Sequence, residues 1–167
     1  MPAFTFDINR LTREERIIGL ATIVLLISLF LPWDKYGYTE TIAGRTVSSA
    51  SVSFSGYSLH GYLWIVFILS LAVIAFLVAK AGFATMPFVL PVTQDQALLV
   101  ATGISFVLVL IGFLLRSYGG SATASGVGYS YHAGWSYSFG SFLSLIAAVV
   151  AVVPLARPAI QKQMNKG

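Results

Sequence analysis

The chain of 167 residues contains no cysteine. Disulfides, thiol chemistry and every cysteine-ligated metal centre are thereby excluded, whichever side of a membrane its loops occupy. Charge is nearly as scarce: charged residues make up 10% against 57% hydrophobic, where a soluble domain carries roughly 25% charged residues. The sequence has no phosphate-cradling glycine loop, no nucleophile elbow and no His-Glu-x-x-His pair. Its long apolar runs contain no charged side chain, and their interior polar residues are serines and threonines such as Ser28, Ser70, Thr102, Ser105 and Ser144. Intramembrane charges mark proton relays and ion pathways, so their absence argues against an autonomous pump or transporter. No catalytic constellation remains, and the chain is expected not to be an enzyme.

What is present is apolar length. Ile17 to Trp33, Gly61 to Ala79, Ala97 to Leu115 and Phe139 to Ala156 each approach the ~20 residues a helix needs to cross the hydrocarbon core. The expected fold is all-α and integral to the membrane: a four-transmembrane-helix bundle made of two similar helical hairpins, with spans at 17–33, 61–79, 97–115 and 139–156. External loops 34–60 and 116–138 would form a small cap containing short β-strands, and loop 80–96 would lie on the opposite side. Residues 1–167 make one domain, because four spans leave no room for a separate soluble one.

Orientation follows from the basic residues, which concentrate on the cytoplasmic side. Arg10, Arg13 and Arg16 precede the first run, Lys80 follows the second, and Arg157, Lys162 and Lys166 follow the fourth, whereas only Lys35, Arg45 and Arg116 fall on the other side. Both termini are therefore expected in the cytoplasm of a bacterium, with the spans in its plasma membrane. The net charge of +4 is mostly this topology signal, without the clustered basic surface that nucleic acid requires. A cleaved signal peptide is the competing reading of the N-terminus, but no small-residue cleavage pair follows Trp33 and the run is long for a signal core.

Local signals place the element ends. Thr12 with Glu15, and Thr93 with Gln96, match the capping box that starts a helix, with Asp95 in the first turn where the helix dipole favours an anion. Before Thr12, an arm carrying Phe4, Phe6, Ile8 and Leu11 suits either a solvated lead-in or an interfacial segment with arginines on anionic head groups. Tyr38 to Ile42 and Arg45 to Ser49 flank Ala43-Gly44 as strands flank a two-residue turn. Val127, Tyr129 and Tyr131 alternate in the same way, which lets the two loops pair. Pro87 and Pro91 exclude a helix in the 80–96 loop, and Pro154 and Pro158 are expected to end the fourth span.

The halves look alike. Phe30, Leu31, Tyr36 and Gly37 correspond to Phe113, Leu114, Tyr118 and Gly119, and Ser55-Gly56-Tyr57-Ser58 corresponds to Ala133-Gly134-Trp135-Ser136. A rival register sets Gly56-Tyr57-Ser58 on Gly128-Tyr129-Ser130 and His60 on His132, but shifts the following spans out of step. The repeats would be parallel, related by an axis along the membrane normal. Phe-Leu-Pro-Trp at 30–33, a small external loop and then Ser/Ala-Gly-aromatic before the next span resemble the small uncharacterised four-span membrane proteins common in actinobacteria. That resemblance implies a plasma-membrane location and no defined activity. The claudin type of tetraspan protein shares the layout, but its paired loop cysteines are missing here.

Three groups of residues stand out. Gly140, Ser144 and Ala148 recur every four residues, with Ala147 and Ala151 beside them, a spacing that lets helix backbones approach closely in a bilayer. The tyrosines and tryptophans all fall in the external loops or at the outer ends of spans, with Trp33, Tyr57, Tyr62, Trp64, Tyr129, Tyr131 and Trp135 forming an external aromatic rim. A membrane-interface belt accounts for their depth; a docking surface accounts for their one-sidedness. His60 and His132 sit outside the spans on one side, where two imidazoles could ligate a haem iron or share a metal ion; interfacial histidines making ordinary hydrogen bonds are the bland reading, and no cofactor is expected. These features point to a non-catalytic accessory or structural subunit of a larger bacterial membrane complex, respiratory or envelope-related. Its expected partners are membrane lipids and other membrane subunits. The alternative is a protein that binds a lipid, quinone or pigment with the aromatic rim.

Overall fold

The structure is a computed structural model that describes residues 6–83, 93–115 and 121–164, with side chains described as far as residue 156. Phe4, Pro87, Pro91, Arg116, Tyr118, Gly119 and Lys166, on which expectations fell, lie outside these residues.

Both capping boxes form. The Thr12 hydroxyl accepts the Glu15 N–H at 3.2 Å, and the Glu15 carboxylate accepts the Thr12 N–H at 2.9 Å, which starts α1 (Arg13–Ser28). The Thr93 hydroxyl likewise accepts the Gln96 N–H at 3.4 Å and the Gln96 amide oxygen accepts the Thr93 N–H at 3.3 Å, which starts α4 (Gln94–Leu114). α1 stops well before Trp33. The Phe30 and Leu31 N–H groups close tighter turns onto the Ile27 and Ser28 carbonyls, and Pro32 disfavours a helical conformation for the residue before it. Pro32 then begins a strand.

β1 (Pro32–Ile42) and β2 (Arg45–Ser55) are joined at Ala43 and Gly44, whose φ of 49° and 74° give the primed two-residue turn that suits strand twist. A single turn, α2 (Gly56–Leu59), leads into α3 (Leu63–Gly82). After α4 come β3 (Ala122–Gly126), β4 (Tyr129–Tyr137) and α5 (Phe139–Met164). Val127 lies in the β3–β4 turn beside Gly128 rather than in a strand. α5 runs on through Pro154 and Pro158, which were expected to end it. Each proline forfeits a backbone hydrogen bond, but the helix is held on both sides of Pro154, by buried Ala147, Ala148 and Ala151 and by Leu155 against the Ile18–Leu98 cluster.

The expectation of an all-α four-helix bundle is overturned. The fold is mixed: a four-stranded antiparallel sheet in the order β2-β1-β4-β3 stands beside five α-helices among the described residues. Among the described residues, only Leu63–Gly82, Gln94–Leu114 and Phe139–Ala156 are helices long and apolar enough to cross a membrane. α1 falls short because Arg13, Glu14, Glu15 and Arg16 occupy its first turn and the strand claims its expected end. The stretches read as small cap loops form long strands, and the two hairpins pair through β1 and β4.

α1 packs on α3 and α5, and α4 packs on the same two helices. All four run between an arm end, where the Asp7 N–H donates to the Ala81 carbonyl at 3.0 Å, and a sheet end. Leu25, Leu29, Trp33, Leu63, Val66 and Val109 fill the core towards the sheet; Ile18, Val73, Leu77 and Leu98 fill it towards the arm.

Each half reads helix, hairpin, helix, yet the sheet lacks the expected twofold. An axis along the helices would carry β1 onto β3, both leading away from the helices, and any symmetric contact between them would be parallel. Antiparallel pairing instead joins outgoing β1 to returning β4. The return motifs are not equivalent either: Ser55-Gly56 lies at the foot of β2, whereas Gly134 and Trp135 lie within β4 opposite Gly37 and Tyr36.

Candidate functional site

Trp33 sits where sheet meets helices and is 1% exposed. Its Nε1–H donates to the Ser28 carbonyl at 3.0 Å, and its own carbonyl accepts the Ser138 N–H at 2.7 Å. Gly56 and Gly112 make room for the indole, since a β-carbon would lie 2.8 Å from Trp33 Cε2 at the first and 3.1 Å from Cζ3 at the second. Trp33 is thus a core residue and not part of a rim. Once α1 ends at Ser28, the turn folds the ring over the helix ends, where its area fills the gap between layers.

Around it lies a polar cluster. His60 meets Trp33 edge-on with centroids 6.3 Å apart and Tyr62 at 5.5 Å. Burial pushes the His60 imidazole below its ordinary value, while the Asp34 charge and the Gly112 carbonyl oppose that shift. Asp34 is buried, and its Oδ1 has no hydrogen-bond partner among the described residues; the same holds for the Tyr57 and Tyr62 hydroxyls. Burial pushes the Tyr57 phenol up to about 12 and raises that of Tyr62. No group of three His, Asp or Glu that could hold a metal ion occurs among the described residues. His132 is not brought to this cluster: it lies on an exposed strand position opposite Thr39, about 20 Å along β1 from Trp33 at strand rise.

The sheet above has two unlike faces, set by strict alternation. Asp34, Tyr36, Tyr38 and Glu40 of β1 share one face. Across from them stand Phe54, Val52, Ala50 and Ser48 on β2 and Tyr137, Trp135, Ala133 and Tyr131 on β4. Lys35, Gly37 and Thr39 share the other face with Ser53, Ser51 and Ser49, and with Ser136, Gly134 and His132. One face is therefore aromatic and apolar and the other is serine, threonine and glycine. On the aromatic face Trp135 packs against Tyr36 at 5.2 Å and Phe54 at 5.3 Å, and Tyr38 stacks on Tyr131 at 6.2 Å. Tyr36, Tyr38, Phe54 and Tyr131 remain half-buried, while Ile42, Val52 and Tyr129 are exposed. Helices cover the foot of this face: Tyr137 stacks on Phe113 of α4 at 5.0 Å, meets Phe142 of α5 at 5.8 Å and donates its hydroxyl to the Phe113 carbonyl at 3.2 Å. Further along the strands, no described element forms a second layer over Tyr36, Tyr38, Val52 and Tyr131.

The other expected residues fall elsewhere. Tyr57 stacks on Trp64 at 4.8 Å, with Phe30 and Phe67 edge-on to Tyr57, so this pair and Trp135 belong to separate clusters. On α5, Ser144, Ala147, Ala148 and Ala151 are buried. At Gly140, also buried, a β-carbon would meet the Pro32 carbonyl oxygen at 2.5 Å. Sequence reasoning missed Asp34, Gly56 and Gly112. A carboxylate directly after Pro32-Trp33 at the end of an apolar run was the available signal for Asp34; the glycines carried none. No family model matches the chain, and neither a curated protein nor a solved structure matches it.

Proposed function

We propose that this is a non-catalytic membrane subunit whose sheet docks, by its aromatic face, onto the extramembrane part of a partner subunit. One observation carries the reading: a single-layer sheet leaves Tyr36, Tyr38, Val52 and Tyr131 with no described layer over them. A sheet with one apolar face ordinarily buries it against another layer, and tyrosine and tryptophan supply contact area with a polar handle at interaction hot spots. The strands rise about 30 Å from the helix ends at strand geometry, so the face stands clear of the bilayer where a neighbouring subunit can reach it. By the basic-residue rule the sheet side is the outer side.

The test is gentle detergent extraction from native membranes followed by native mass spectrometry. The wild type should carry at least one further protein, and the Tyr38→Ser/Tyr131→Ser variant should lose it, at a cost of about 2 kcal/mol or more. Ser51→Asn on the opposite face should keep it. Migration of the wild type as a lone 18.0 kDa chain in every detergent, or equal retention by both variants, would sink the reading.

A further inference from the structure

At the far end from the sheet, the arm folds back over α1 and α3 and leaves an apolar groove of about 250 Å³ between the three. Gly19 lies in it close to α3, since a β-carbon there would be 3.1 Å from Leu77 Cδ1. Leu20 and Ile23 form its exposed outer wall, and Ile8, half exposed, lines it from the arm. Two charged residues line this groove, and they differ in kind. Glu15 is buried, paired with Lys80 and bonded to the Thr12 N–H, so its charge is spent inside the protein. Arg16 is exposed; its Nε–H donates to the Leu11 carbonyl at 3.2 Å and its Nη2 to Asn9 Oδ1 at 3.5 Å. No carboxylate pairs with it among the described residues. Those two bonds hold the guanidinium at the mouth of the groove, and the nearby Asp7 carboxylate is engaged by the Asn9 N–H.

We propose that this groove holds one anionic phospholipid, with an acyl chain along Gly19, Leu20 and Ile23 and its phosphate on Arg16. An apolar channel ending in a held cation, beside a helix long enough to cross the bilayer, presents the two chemistries of such a lipid in the right order. A second groove, lined by Ala72, Phe76 and Ala101 between α3 and α4, has no charged residue in its lining and offers an acyl chain no head-group preference. The proposal needs the chain to lie in a membrane but does not depend on the sheet's docking role.

Full-length protein in a neutral detergent is offered phosphatidylglycerol or phosphatidylcholine of the same acyl chains, and separately glycerol phosphate, with native mass spectrometry and thermal melting as readouts. The wild type should retain one phosphatidylglycerol per chain, with a preference over phosphatidylcholine of about threefold, the scale of an exposed ion pair, because both lipids offer Arg16 a phosphate and only phosphatidylcholine carries a quaternary ammonium that offsets it. Arg16→Gln, at an exposed position, should keep its melting temperature in detergent alone and bind the two lipids equally. Gly19→Leu should lose both lipids from this groove. Equal binding of the two lipids by the wild type, a preserved preference in Arg16→Gln, or protection by glycerol phosphate as strong as by the whole lipid would overturn the proposal.

Discussion

His60 is set between opposing influences: burial beneath Trp33 and Tyr62 disfavours its charged form, and Asp34 with the Gly112 carbonyl favours it. Burial wins, so the folded imidazole titrates lower than the unfolded one. The unfolded state then takes up the proton first as pH falls. Stability is complete above about 6.5, the unfolded value, and is lost progressively as pH drops below it. Thermal melting in detergent should therefore fall between about pH 8 and about pH 5, and by less in His60→Gln. An identical fall in both would show that other groups carry the acid sensitivity. The histidine itself was visible in the sequence, but its setting was not. Asp34 reads there as the first polar residue of a loop, and the two glycines that admit the indole are defined only by which side chain approaches them.

At the scale of one element, α5 shows what periodicity can and cannot reveal. Ser141, Ser144, Ala147, Ala148 and Ala151 are buried, while Phe142, Ile146, Val149 and Val150 are exposed, and the small residues could be named from spacing alone because helix faces repeat every three to four positions. Ser144 is fully buried, with its hydroxyl donating to the Ser141 carbonyl at 2.8 Å. Ser144→Leu should therefore overpack the contact, lowering stability by about 1–3 kcal/mol, while Ile146→Leu on the exposed side should change it little. Melting curves of the two variants decide; equal curves would mean the face is not closely packed. The strands were harder to read. Ala43-Gly44 marked the turn, but alternation of tyrosine with serine, threonine and glycine has the composition of a loop, so their length was understated. Pairing of β1 with β4 joins segments far apart in the chain, and no local pattern encodes it.

Across the whole molecule, the sheet order and the helix contacts follow from one another. β1 continues from α1 and β4 runs into α5, so joining β1 to β4 sets α1 against α5 below them, and Trp33 lies at that seam with bonds to both sides. A reading in terms of apolar length alone counts helices and misses this coupling, because the residues that make it are one tryptophan, one turn and a few glycines. If the seam unites the layers, Trp33→Ala should cost about 3–5 kcal/mol, the range for deleting a large buried aromatic side chain, and should do so in both layers at once. Hydrogen exchange followed by mass spectrometry in detergent reads them separately. Amides of β1 and β4 should lose protection together with those of α1 and α5, and the thermal transition should stay single while moving down. Loss confined to the sheet, with the helices exchanging as in the wild type, would make the sheet an independent cap and the Trp33 junction a local contact.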